Sequence, residues 1–207
     1  MLKKISFFAV IALSAGGYIP ILIGGFIQPS EVNLATYELW TIIVLLMLYS
    51  SIQQKQEWIL PFAWAIGNIS TIVILFAFPR KWMFNLGDAE SVALYGIVIV
   101  VGTWATVGGI TKHWNPRILF LGSVAVDVAS FYPVIKQYLL PHALPTEFLL
   151  LGWTMFILGA FINLVFVDEF IGKVIRKEEN LWSLVEKSAL SLENIFFLSL
   201  TTLLMMR

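Results

Sequence analysis

Long apolar runs alternate with short polar connectors along the 207 residues. Seven runs approach the roughly 20 apolar residues that a membrane-spanning helix needs. They cover 5–27, 35–53, 58–78, 90–110, 117–139, 147–167 and 182–205. The breaks between them are rich in proline, glycine and charge, which end helices or favour water. They are Gln28 to Glu31, Gln53 to Glu57, Pro79 to Lys81, Lys112 to Pro116, Pro141 to Pro145, and Asp168 to Asn180. Only the last is long, and its charges (Lys173, Arg176, Lys177, Glu178, Glu179) read better as a solvated loop than as a helical extension. The predicted fold class is all-α: a polytopic membrane protein with seven transmembrane helices.

Lys3 and Lys4 followed by an apolar stretch and Ala12-Leu13-Ser14-Ala15-Gly16 imitate a signal peptide. The apolar run continues through Pro20 to Ile27, longer than such a signal needs, so it is read as the first membrane helix. Composition agrees: 59% of the residues are hydrophobic and 13% charged, against about 25% charged in soluble domains. The formal net charge is zero and gives no reason to expect nucleic acid as a partner. There is no cysteine, which removes disulfides, thiolate metal sites and thiol catalysis. With the N-terminus inside, the inner connectors and ends carry eight Lys and Arg and the outer ones three. That bias places the N-terminus on the cytoplasmic side.

Two stretches of the chain echo each other at an offset of 113 residues. Tyr18-Ile19-Pro20 leads to Trp40-Thr41, and Phe131-Tyr132-Pro133 leads to Trp153-Thr154. The offset carries the first run onto the fifth and the second onto the sixth. Seven runs then divide as 3+1+3: a three-helix repeat over 1–82, a linker helix over 83–114, and a second repeat over 115–207. An odd linker makes the two units parallel, an architecture that transporters use around a central site. The third runs correspond through Asn68 and Asn194, each followed by isoleucine, with thirteen extra residues in the second unit.

The repeat singles out residues with chemistry. Pro20 and Pro133 each remove a backbone hydrogen bond inside an apolar helix and are hinge candidates; a static kink is the plainer reading. An asparagine in a bilayer core needs a partner. Asn68 and Asn194 would offer amides to a polar solute across the pseudo-twofold axis, or act as interhelical glue. Trp64 lies one turn before Asn68 and would stack on a ring. Asp127 is the most conspicuous charge inside a run and the ion-coupling candidate, opposite Ser14 of the first unit. A paired structural carboxyl is its plain alternative. Glu193 adjoins Asn194. Trp40 and Trp153 read as packing or interfacial anchors. His113 and His142 lie in separate connectors with no third ligand, so no metal site is expected, and no cofactor.

This layout resembles the PQ-loop/SWEET superfamily of small-solute transporters. The resemblance is carried by the 3+1+3 order, the aromatic-Pro pairs and the two asparagines. Tyr132-Pro133-Val134-Ile135-Lys136-Gln137 is similar to the family's Pro-Gln stretch, and Trp64-x-x-x-Asn68 to the spacing in the related PnuC-type vitamin transporters. Neither proline is followed by glutamine, and Trp40 and Trp153 stand near the places where SWEETs carry further prolines. SWEETs have the N-terminus outside, opposite to the charge bias. The resemblance implies a carrier or facilitator for a sugar or vitamin working by alternating access, not an enzyme. The partners expected are a small polar solute and the lipid bilayer, with a homo-oligomer left open and no nucleic acid. The alternative is a non-transporting scaffold or accessory subunit. A retinal protein fits less well, because Lys187 lies near the start of the last run rather than midway along it. No Ser-His-Asp set, paired catalytic carboxylates or phosphate-binding glycine loop supports an enzyme.

Overall fold

The computed structural model describes residues 2–27, 34–54, 58–77, 87–138, 147–176 and 180–205. Among them every regular element is helical and there is no strand. In chain order these are α1 (Leu2–Gly16), α2 (Tyr18–Ile27), α3 (Leu34–Gln53), α4 (Ile59–Ala77), α5 (Asp88–Thr111), α6 (Pro116–Tyr138) and α7 (Glu147–Ile162). A π-helical turn, Asn163–Val167, continues α7. Then come α8 (Phe170–Arg176), α9 (Leu181–Lys187) and α10 (Ala189–Met205). The connectors holding Lys55, Arg80, Lys81 and His142 lie outside the described residues, and so do the side chains of Pro133, Lys136 and Glu186.

Five helical stretches are long and apolar enough to cross a membrane: Lys4–Gly24, Ala35–Gln53, Ile59–Ala77, Asp88–Thr111 and Glu147–Arg176. This marks the chain as a membrane protein. The other two expected spans, α6 and α10, are not among these five. The side chains of α6 are described only as far as Ser130, a stretch shorter than a full span. The last span is divided at Ser188 into α9 and α10. The connector after Asp168 also differs from the expected loop. Residues 170–176 are helical and begin after Glu169, which takes the left-handed conformation at φ 53°. Across this segment Arg176 pairs with Glu169 at 3.6 Å.

The first span is interrupted at Gly17, one turn before Pro20. Proline cannot donate to the Gly16 carbonyl and its ring crowds that carbonyl, so the chain steps where glycine tolerates it. By contrast α6 runs through Pro133 as one helix. Between α5 and α6 the turn is built by local chemistry. Lys112 ends α5 in the left-handed region, Pro116 opens α6, and the Asn115 side chain accepts the Arg117 N–H at 3.0 Å. Trp114 lies over Gly108 and meets Trp104 edge to face at 4.8 Å, closing this corner.

The packed pairs trace a ring. The α1–α2 span packs on α4, α4 on α3, α3 on α6, α6 on α10, α10 on α7, and α7 returns to α1 and α2. Outside the ring, α5 packs on α3 and α6. Small residues set the closest approaches. Gly17 of the α1–α2 step lies against Gly152 of α7, and Ser14 against Gly159. Gly96 of α5 receives Val126 of α6, while Gly122 of α6 receives Val100 of α5. Polarity is turned inward: Ser14, Ser50, Asn68, Thr71, Ser130 and Thr201 are buried, while Phe8 (69% exposed), Ile99 and Ile110 cover the outside. An apolar exterior around a polar interior is what a hydrocarbon solvent selects.

Candidate functional site

Polar residues from both halves of the chain converge inside the ring. Tyr18 opens α2 and lays its ring on the bare backbone of Gly67 in α4. Its neighbours are Tyr37 of α3, with ring centroids 6.3 Å apart, and Phe156 of α7 at 4.9 Å. The phenol lies beside the Asn68 amide and within electrostatic reach of Asp127 on α6. Asp127 in turn sits against Glu193 of α10. Tyr18, Asn68, Asp127 and Glu193 thus form a chain of polar groups across the bundle. Glu193 is 7% exposed, and among the described residues no N–H or hydroxyl group donates to either of its carboxyl oxygens. The Oδ1 of Asn68, a residue 1% exposed, also has no donor among them. Asp127 is only half-buried.

The residues singled out from sequence occupy these places. Trp64 and Asn68 share the buried face of α4, as their one-turn spacing requires. Asn194 is buried on α10, but its amide donates at 2.9 Å to the Leu190 carbonyl of its own helix. The helices α4 and α10 do not form a closely packed pair, and the neighbour of the Asn68 amide is the Tyr18 phenol. Pro20 is buried at the step between α1 and α2. Pro133 lies on α6, its side chain outside the described set. Of the tryptophans, Trp153 packs with Leu198 and Trp40 rests against the main core.

One polar residue escaped the sequence reading. Asn163 is 2% exposed at the start of the π-helical turn, and its amide donates to Ser191 Oγ of α10 at 2.9 Å. The extra residue of a π turn re-aims side chains and often marks functional positions. The available signal was an asparagine inside the sixth apolar run, which by rule is a functional or structural hot spot. Asn163 and Ser191 line a crevice with Leu60, Pro61, Phe120, Lys187 and Leu190, with room for about one water. In the sequence Tyr18 marks only the repeat, since nothing local announces which tyrosine will face an acid.

Among the described residues no group of three His, Asp or Glu gathers as a metal site. The chain matches no protein-family model, no curated protein and no solved structure.

Proposed function

We propose that this protein is a membrane carrier or facilitator for a small polar solute, such as a sugar or vitamin, of the PQ-loop/SWEET type. In this reading the seven segments form two parallel three-helix units, 1–82 and 115–207, joined by α5 as linker. The carrying observation is the polar chain Tyr18–Asn68–Asp127–Glu193, drawn from both units and enclosed by apolar helices. Buried polar groups without partners are costly in a bilayer protein and are retained where a polar guest visits. The ring order supports the two-unit reading. Exchanging the first, second and third segments with the fifth, sixth and seventh returns the same set of packed neighbours. Asn68 and Trp64 bind the solute from the first unit and Asn194 from the second. Asp127 is the ion-coupling group. The units rock about Pro20 and Pro133.

Uptake into liposomes tests the reading. Reconstituted wild type is expected to move at least one of a panel of labelled sugars, vitamins and amino acids faster than empty vesicles, and Asn68→Ala to lose most of that flux. Wild-type uptake no faster than empty vesicles across the panel sinks it. A second reading, a non-transporting accessory subunit, draws on the self-satisfied Asn194 and on the Asn163–Ser191 bond, both of which look like glue. Co-purification of a constant partner from native membranes, with no flux in liposomes, is its expected signature.

A further inference from the structure

Glu193 poses a problem that the solute site does not answer. Its two oxygens are buried in an apolar bundle, and among the described residues no N–H or hydroxyl group donates to them. Their polar neighbour is Asp127, a second carboxyl, from a different helix. Two carboxylates at contact in low dielectric repel strongly, whereas one proton between them turns the repulsion into a hydrogen bond. Among the described residues no Lys, Arg or His acts on either group. Among the described residues, then, no cation of the chain neutralises the pair.

We propose that Asp127 and Glu193 hold one proton between them, beside the Tyr18 phenol and the orphaned Asn68 oxygen. The proton arrives from water, forms one O–H bond on one carboxyl, and is donated to an oxygen of the other. Glu193 is almost fully buried, and Asp127 is the more exposed of the two. The surroundings are uncharged phenols and amides. Facing the pair are Tyr18 from α2, with Tyr37 of α3 behind it. On α5, Glu90 is engaged with Thr36 instead. On α7, Glu147 is exposed at the first turn, and past the π turn Asp168 lies by Asn163. On α9, Lys187 lines the crevice, and on α10 Asn194 is turned to its own helix. Tyr132 and Lys136 of α6 lie outside the described side chains. A shared proton that must be surrendered when water reaches the pair is a means of coupling flux to a proton gradient. That use rests on the carrier reading; the proton site itself does not.

The test is an infrared pH titration of the full chain in lipid nanodiscs, following the protonated-carboxyl stretching band. The D127N/E193Q double variant serves as the blank. Wild type is expected to keep one protonated carboxyl at neutral pH and to lose its two protons in steps at least about one pH unit apart. Asp127→Asn and Glu193→Gln should each leave a single step displaced from both. A wild-type curve equal to the sum of the two single variants overturns the proposal. If a variant fails to fold, wild type alone decides: absence of a deuterium-sensitive buried carboxyl band at neutral pH overturns it. Because the band reads a proton and not solute flux, failure of the uptake screen and failure of this proposal are separate results.

Discussion

At Gly152, a methyl group in place of hydrogen would stand 2.5 Å from the Gly17 carbonyl oxygen, a backbone atom with little freedom to move. Gly152→Ala is therefore expected to destabilise the bundle by about 1–3 kcal/mol, the usual range for overpacking. Gly102 has nothing within 4 Å, so Gly102→Ala should be neutral or slightly stabilising, as removal of a mid-helix glycine predicts. Thermal unfolding in detergent reads both; equal shifts would refute the close α2–α7 approach. The Asn163–Ser191 hydrogen bond permits a cleaner measurement. A double-mutant cycle of Asn163→Ala and Ser191→Ala is expected to give a coupling of about 0.5–1.5 kcal/mol, the range for interhelical polar pairs in membranes. Additive losses would mean that the bond adds nothing. These residues show unequal legibility. Asn68 and Asp127 stand out in the sequence because a polar side chain in an apolar run is conspicuous by itself. Gly152 does not, because its role depends on what crosses it.

The step at Gly17 divides the first span, whereas α6 passes through Pro133 unbroken. The two prolines occupy matching places in the sequence echo but have different local outcomes. One reason lies in the preceding turn: Gly16-Gly17 stands before Tyr18, but Ala129-Ser130 before Phe131. Glycine lets the chain step, and Ser130 instead donates to the Val126 carbonyl of its own helix at 2.8 Å. Pro20→Ala restores a donor for the Gly16 carbonyl and should join α1 and α2 into one helix. In the uptake assay the variant is expected to be several-fold slower, with unchanged expression; undiminished flux would remove the hinge from Pro20. The packing of α5 on α6 is checkable without a solute, because the chain has no cysteine. Cβ atoms at 122 and 100 would lie 3.3 Å apart, close to disulfide spacing. Gly122→Cys with Val100→Cys is expected to form an intramolecular crosslink on mild oxidation, seen as a faster-migrating band. Failure to crosslink would place the linker helix elsewhere.

The whole molecule has its apolar side chains outward and its polar ones inward. Alkaline carbonate washing should leave the chain in the membrane pellet, and release into the supernatant would contradict the five spans. A charge placed on the outer surface, as in Ile99→Lys, should cost roughly 2.5–3.5 kcal/mol of insertion free energy if that position sits near the bilayer centre. The helical class and the membrane setting were readable from the sequence alone, because hydropathy is a local, additive property of consecutive residues. So was the list of intramembrane polar residues. Tertiary structure decided which of them meet. Tyr18, Asn68, Asp127 and Glu193 belong to four helices, and no periodicity along the chain brings them together. Their encounter depends on where glycines let helices approach and on which faces then turn inward, a property of the packed bundle. The echo of Pro20 and Pro133 marks a relation between two parts of the sequence. The unlike backbone at the two prolines, and the pairing of Asp127 with Glu193, arise only when the helices pack.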